Sequence, residues 1–549
     1  MHNFTNVLFI IVILVGLSAF SGKIRLPLPI LLLIVGVLLG MAPFLPDLAL
    51  DPEIVFLVFL PPILYDAASK TSWLDFKKEI RPISTLAITL VFFTTVAVAV
   101  AAHYFIPGFS WPLAFLLGAI VSPPDAVAAT SITKGLGLNR RVITIIEGES
   151  LVNDASALIA YKYAVTATIS GVFVFWKAGL GFLLVSTGGI IIGLVLGYLL
   201  VFVHKRITDN EIVETSMSLL TPFVAYALAE RCHVSGVLAV VTAGFFISWN
   251  SREIFSFQTR LQTKVVWDTV VFVINGLVFI LIGLQMPAII TGFKEYSFIQ
   301  MLGYGLLVTF VTIAVRIIWV FVGAYNQSIF RRNKAVTPAD DDGQEVSWKN
   351  VLIVAWTGTR GVVSLATALA LPIALKDGAG FPQRNHILFF TFIVILFTLV
   401  VQGLTLPLLI RLLGIKTEDG LQKKQDRDLE LTLTENILRF INEGIPGEID
   451  EKVKDQVRKI YDTNYNILSQ KKRVNSLPKA TLISQLTFIT QMLSVQLEIV
   501  RYKRELLIRY QKEGTFNEES IIKTVSELDI EEMRIHSMIS KREDDSKRL

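Results

Sequence analysis

Apolar runs long enough to cross the roughly 30 Å hydrocarbon core of a bilayer, about 20 residues each, follow one another as far as Gly414. Such runs are read as membrane-spanning helices. Thirteen are predicted, over 4–20, 26–43, 53–69, 83–104, 111–133, 142–166, 178–203, 213–230, 234–249, 265–285, 297–329, 350–374 and 386–413. The charge distribution separates the chain into two solvents. Charged residues make up 18% of the whole, against about 25% in a soluble domain. After Gly414, however, come 24 Lys and Arg and 24 Asp and Glu. The predicted fold class is therefore an all-α membrane protein of about thirteen transmembrane helices over residues 1–414, with a helical cytoplasmic C-terminal domain over 415–549.

Loop charge orients the spans. Alternate loops, beginning with 21–25, hold 18 Lys and Arg, whereas the opposite side holds 5 as far as residue 385. Positive residues mark the cytoplasmic side. The expectation is a multi-pass protein of the cell membrane, with its amino terminus outside and its tail inside. The first apolar run has no Lys or Arg before it, so it reads as a retained helix rather than a secretory leader. The excess of +5 lies in the apolar part and is explained by its loops. With no aromatic–basic motif and no phosphate loop, nucleic acid is not an expected partner. The single cysteine, Cys232, excludes an internal disulfide framework and a multi-cysteine metal site.

Ionisable groups inside such spans are costly unless they face a cavity or a partner. Asp66, Asp125, Glu147, Glu149, Asp154, Lys162, Arg316, Arg360 and Arg411 all fall within predicted helices. Arg411 and Lys162 lie near span ends and can snorkel, and Arg316 can pair structurally. The central set asks for more. Pro123 and Pro124 remove two backbone donors and break the fifth span, leaving carbonyls that must line a cavity or find partners. Asp125 follows at once and can cap the second half-helix; a plain proline kink with a structural cap is the alternative. In the sixth span, Asp154 lies about 20 Å from Arg141 along the helix, and Ser150, four residues earlier, shares its face. Glu149 and Asn153 share the neighbouring face. A carboxylate with a hydroxyl suits a small alkali cation or a proton; a structural polar network is the alternative. The twelfth span is loosened by Gly358 and Gly361 around Arg360, a permanent charge that needs a carboxylate. Interrupted helices in the two halves of a transporter point to inverted repeats around a midplane site.

The stretches Leu60-Pro-Pro-Ile-Leu-Tyr-Asp-Ala-Ala68, Ser122-Pro-Pro-Asp-Ala-Val-Ala128, Gly148-Glu-Ser-Leu-Val-Asn-Asp154 and Gly358-Thr-Arg-Gly361 resemble the Na⁺/H⁺ exchanger type of monovalent cation:proton antiporter, over about residues 1–414. The resemblance implies a homodimer whose mobile core contains two crossed broken helices. It implies that Asp154 is the essential cation and proton carboxylate and Ser150 a direct ligand, and that Asp66, the accessory acid of the third span, and Asp125, the acid of the unwound crossing, also hold the transported cation. Glu149 and Arg360 correspond to a buried ion pair, and Asn153 beside Asp154 to the electroneutral form. A hydroxyl usual just before the acid of the crossing is replaced here by Pro124.

The function expected is secondary active exchange of a monovalent cation, Na⁺ first and Li⁺ or K⁺ as alternatives, for a proton, with 1:1 stoichiometry, serving pH and sodium homeostasis. A channel would favour a symmetric pore, and an organic-solute symporter would favour an apolar substrate pocket. An enzyme would need a catalytic constellation, which is not found, and no cofactor is expected. In the tail, Leu482, Leu486, Ile489, Leu493, Leu497, Val500 and Leu507 form an apolar stripe that needs another tail helix or a second protomer to cover it.

Overall fold

The computed structural model describes residues 2–21, 28–41, 55–125, 138, 140–171, 175–206, 210–291, 297–330, 348–375, 379–414, 419–443, 493–507 and 527–539, with scattered positions between the last three segments. These residues are helical almost throughout, the one sheet-like contact among them being a single bridge between Ala374 and Gly380. Helix overlaps every stretch expected to span. In chain order the elements are α1 His2–Ser21, α2 Leu28–Gly40, α3 Leu60–Lys70, α4 Trp73–Lys78, α5 Ile80–Ser84, α6 Val91–Phe105, α7 Trp111–Val121, α8 Arg140–Ser170, α9 Phe175–His204, α10 Glu211–Arg231, α11 Gly236–Ile254, α12 Phe257–Thr291, α13 Phe298–Phe330, α14 Trp348–Trp356, α15 Val362–Leu369, α16 Arg384–Phe397, α17 Gly403–Leu412 and α18 Asp419–Glu443. π-helical turns precede α3 and join α5 to α6 and α16 to α17.

Local chemistry sets where these helices begin and end. Asn210 and Ser235 cap α10 and α11, accepting the backbone N–H of Val213 and Leu238 at 3.2 Å each, as N-cap residues do. Pro61 and Pro62 sit in the first turn of α3, directly after the π-helical turn Val55–Phe59, and neither has an N–H to donate back into that turn. Lys349 closes the far end of α17 by donating to the carbonyl of Leu413 at 2.6 Å.

Six helices among the described residues are long and apolar enough to cross a membrane. Their outer faces are greasy: on α9, Leu184 is 73% exposed and Tyr198 66%. In a soluble monomer so large an apolar face would be a liability; in lipid it is the solvated surface. Between helices, close approach replaces the hydrophobic drive that lipid removes. A Cβ on Gly36 of α2 would stand 2.4 Å from the carbonyl oxygen of Ile280 on α12, and one on Gly283 would stand 2.4 Å from that of Leu33. Only glycine permits that seam.

The chain divides into two compact units, 1–418 and 419–549. Within the second, Leu493, Leu497 and Val500 are buried against Leu528 and Ile535, with Leu507 and Ile539 packed alongside. Helix 527–539 thus covers the part of the apolar stripe that is described. Lys503 pairs with Glu531 at 3.4 Å and Arg504 with Glu532 at 2.6 Å. Leu482, Leu486 and Ile489 lie outside the described residues.

Candidate functional site

The two interrupted helices meet at their interruptions. Helix α7 stops at Val121, and Ser122 to Asp125 run on without helical bonds; α14 stops at Trp356, and α15 resumes at Val362. The Asp125 N–H donates to the Thr359 carbonyl at 2.7 Å, and the Thr359 hydroxyl donates to the Asp125 carbonyl at 3.1 Å. Backbone groups released by the prolines of one helix are thereby paired with those released by the glycines of the other. The Asp125 carboxylate accepts the N–H of Val362 at 3.3 Å, so the cap that it is seen to provide is for α15. The second half of its own helix, which it was expected to cap, lies outside the described residues. Gly361 makes this fit possible, since a Cβ there would fall 1.6 Å from Asp125 Oδ2.

Each half-helix that ends at a break presents carbonyls at its negative end, and an arginine answers each. Arg360 donates from Nε to the Val121 carbonyl at 3.1 Å, from Nη2 to that of Ser122 at 3.5 Å and from Nη1 to that of Gly358. Arg316, on α13, donates to the Val354 carbonyl near the end of α14 at 3.0 Å. It also grips Glu149 with both arms, at 2.5 and 2.9 Å. Both arginines are 1% exposed, as is Glu149. The expected Glu149–Arg360 pair is therefore corrected: the direct partner of Glu149 is Arg316. The reason is geometric. The fork of Arg360 is spent on the carbonyls that Pro123 and Pro124 set free, whereas Arg316 meets the carboxylate in the two-pronged geometry that guanidinium favours. Arg316 lies about 27 Å from Phe298 along α13, at 1.5 Å per residue. It is too deep to snorkel, and that depth was the available signal that it belongs to this centre.

Asn153 is fully buried and donates from Nδ2 to the Pro124 carbonyl at 3.0 Å, tying α8 to the break in α7. Its Oδ1 is buried with no hydrogen-bond partner among the described residues. Beside it Asp154, 5% exposed, makes no hydrogen bond among those residues, and Asp125 is the charged group whose field reaches it. Ser150, one turn earlier, is half-buried. The sequence-predicted residues Asp125, Glu149, Asn153, Asp154 and Arg360 thus gather where α7, α8, α14 and α15 meet. Asp66 is engaged differently: its Oδ2 accepts from Lys70 at 2.7 Å, and Lys70 also reaches Asp268 on α12 at 2.7 Å. The peripheral charges behave as span-end residues. Lys162 pairs with Glu230 at 2.7 Å, and Arg411 is exposed in the last turn of α17.

Residues 9–412 match the transmembrane sodium/hydrogen exchanger family. The chain is 32% identical over 413 residues to a sodium, potassium, lithium and rubidium/H⁺ antiporter of Bacillus pumilus, a match covering 73% of this chain and 60% of that protein. It is 34% identical over 435 residues to the Na⁺/H⁺ antiporter NhaH of Halobacillus dabanensis, covering 76% of this chain and 100% of the relative. The chain spans only about 60% of the length of the Bacillus antiporters it matches. Its fold is similar to that of the sodium proton antiporter MjNhaP1 of Methanocaldococcus jannaschii, with a TM-score of 0.59 at 18% identity, covering 75% of this chain and 99% of that one. The four motifs, the meeting of two interrupted helices and the match over 9–412 lead to one statement: this chain belongs to the sodium/hydrogen exchanger family.

Proposed function

We propose that this protein exchanges a monovalent cation, Na⁺ foremost with Li⁺ or K⁺ as alternatives, for a proton across the cell membrane, and that Asp154 carries both. One observation supports this above the rest. Every other buried charge at the meeting of the breaks has a partner, while Asp154 sits buried beside an uncharged Asn153 with no hydrogen bond to it among the described residues. A bare carboxylate in a low-dielectric setting is costly, so it holds a proton or a metal cation, and the two compete. Ser150 and the unpartnered Oδ1 of Asn153 supply neutral oxygens of the kind that replace hydration around an alkali ion. Relatives that are Na⁺/H⁺ antiporters agree with this reading. Only the neutralised site crosses between the two sides, which couples the opposed fluxes. The protein works as a homodimer with its amino terminus outside, its tail cytoplasmic and an exchange ratio of one to one, for pH and sodium homeostasis.

The test is transport in proteoliposomes under an imposed pH gradient, with each alkali cation in turn. Asp154→Asn keeps the shape and removes the titrating group, so exchange should vanish while the protein stays monodisperse and folded. Exchange at the wild-type rate in that variant would refute the assignment.

A further inference from the structure

The connection between the third and fourth apolar runs is itself helical, and its two faces are unlike. Helix α4 follows α3 after only Thr71 and Ser72, and α5 follows it after Glu79. Ser72 caps α4, accepting the Asp75 N–H at 3.4 Å. A segment this short between two spanning runs has to lie at a boundary between membrane and water. Its inward face holds the bundle. Phe76 is 4% exposed, with its ring centre 5.0 Å from that of Phe245 on α11. A Cβ on Gly148 of α8 would stand 3.0 Å from the Phe76 ring, and Gly148 is the neighbour of Glu149. Two turns nearer the start of α8, Arg141 donates from Nε to Glu79 at 2.9 Å. The outward face combines grease with positive charge. Trp73, Leu74 and Ile80 are 39, 54 and 41% exposed. Lys77, Lys78 and Arg81 are exposed beside them, and their side chains enter none of the ion pairs among the described residues.

We propose that the outward face of α4 and α5 is a docking surface for the headgroups of anionic phospholipids, and that this contact sets the position of α8. Apolar side chains interleaved with lysine and arginine suit an element lying in the interface, the rings and branched chains reaching the acyl boundary and the cations meeting phosphate. Arginine can take a phosphate with two parallel bonds, and the lysines add point charges on either side. The surface lies on the side proposed above to be cytoplasmic, where anionic lipids maintain a negative surface potential. A free phosphate would account for the three cations but would leave Trp73, Leu74 and Ile80 bare in water. The route inward is short. Phe76 and Glu79 hold α8 at Gly148 and Arg141, and α8 carries Asn153 and Asp154. The surface does not depend on the antiport reading; only its effect on exchange does.

Binding and transport are therefore measured separately. Thermal unfolding of the purified full-length protein in neutral detergent is followed against added phosphatidylglycerol, phosphatidylcholine or glycerol 3-phosphate at fixed ionic strength. A ligand of the folded state raises the melting temperature. Phosphatidylglycerol should do so well beyond the other two. Lys77→Gln/Lys78→Gln/Arg81→Gln should lose more than half of that shift, and Lys77→Gln alone should raise the half-saturating lipid concentration about fivefold, as one basic residue fewer implies. The charge-matched control Lys205→Gln/Arg206→Gln/Lys264→Gln should keep the shift. Lys77→Gln/Arg81→Gln replaces the triple variant if the latter does not fold. In phosphatidylcholine vesicles with rising phosphatidylglycerol, exchange should climb for the wild type and for Lys77→Arg/Lys78→Arg and stay flat for the triple variant. Phe76→Leu should keep the shift in melting temperature while its exchange ceases to follow the lipid. The proposal is overturned if the triple variant keeps half or more of the shift, if the control loses as much, or if glycerol 3-phosphate reproduces it. It is overturned equally if exchange in Phe76→Leu follows the lipid as in the wild type. Should the shift behave as expected while the wild type exchanges in no lipid, the docking surface stands and the antiport reading falls.

Discussion

Glu149 and Arg316 pose the sharpest question at the scale of single residues, because a buried ion pair is revealed by what happens when one member is lost. Removing either leaves an uncompensated charge at a site 1% exposed, a cost of about 3–5 kcal/mol. Removing both as Glu149→Gln/Arg316→Met should cost less than the sum of the two. Thermal or denaturant unfolding of the four proteins gives the coupling energy, about 1–3 kcal/mol for groups in one network. The parallel cycle on Glu149 and Arg360 should show a smaller coupling, since the bonds of Arg360 are to carbonyls. A larger coupling there would restore the pairing that the motifs imply. The residues of this centre were legible, because charge inside an apolar span is conspicuous wherever it falls. Their partners were not. The contact between Arg316 and Glu149 joins positions 167 residues apart, and no local pattern carries that information. The Lys70–Asp66 contact is the converse case: it is an i,i+4 pair that helical spacing makes available to any reader. Its third member, Asp268, needed the fold.

Among the elements, the two interrupted helices carry the architecture, and their contact can be tested with one methyl group. Gly361→Ala would place a Cβ 1.6 Å from Asp125 Oδ2, so the breaks must separate. Overpacking of this kind costs about 1–3 kcal/mol, and here it would also withdraw the cap from α15 and move Asp125 relative to Asp154. We expect loss of exchange together with a lowered melting temperature. Full activity in Gly361→Ala would mean that the breaks are not held as tightly as the bonds of Asp125 to Thr359 and Val362 require. The interruptions themselves were readable, since paired prolines and clustered glycines are local chemistry. That Asp125 would cap the half-helix of the other interrupted element was not, because N-capping is ordinarily a contact within two or three residues of sequence.

For the whole molecule, the charge balance of the buried centre leads to a prediction about membrane potential. Arg316 and Glu149 cancel. Arg360 offsets one of the pair Asp125 and Asp154, leaving one negative charge to be met by a single monovalent ion or a single proton. Each cycle then moves no net charge. Proteoliposomes clamped with potassium and valinomycin, with Na⁺ or Li⁺ as substrate, should exchange at rates that do not depend on potential. A cation gradient driven by potential at equal pH would mean that Asp125 also releases a proton, as two coupled acids can. The single-charge cycle would then have to be abandoned. Span positions were legible at this scale because hydropathy reports burial in lipid directly, whereas the pairing of α2 with α12 through Gly36 and Gly283 depends on contact between helices more than 200 residues apart.

The bond between Asp125 and Val362 has a bearing on how the protein is made. Its ends lie 237 residues apart, and those of the Arg360–Val121 bond 239 apart. At translation rates of about 5–20 residues per second, the broken end of α7 waits roughly 10–50 s in or near the translocon before its arginine and its partner loop are synthesised. During that interval the free carbonyls of Val121 and Ser122 and the carboxylate of Asp125 must be tolerated by the insertion machinery, by water or by neighbouring helices. The amino-terminal half therefore enters the bilayer as an incomplete structure, and its completion is a late, post-insertional step of biogenesis.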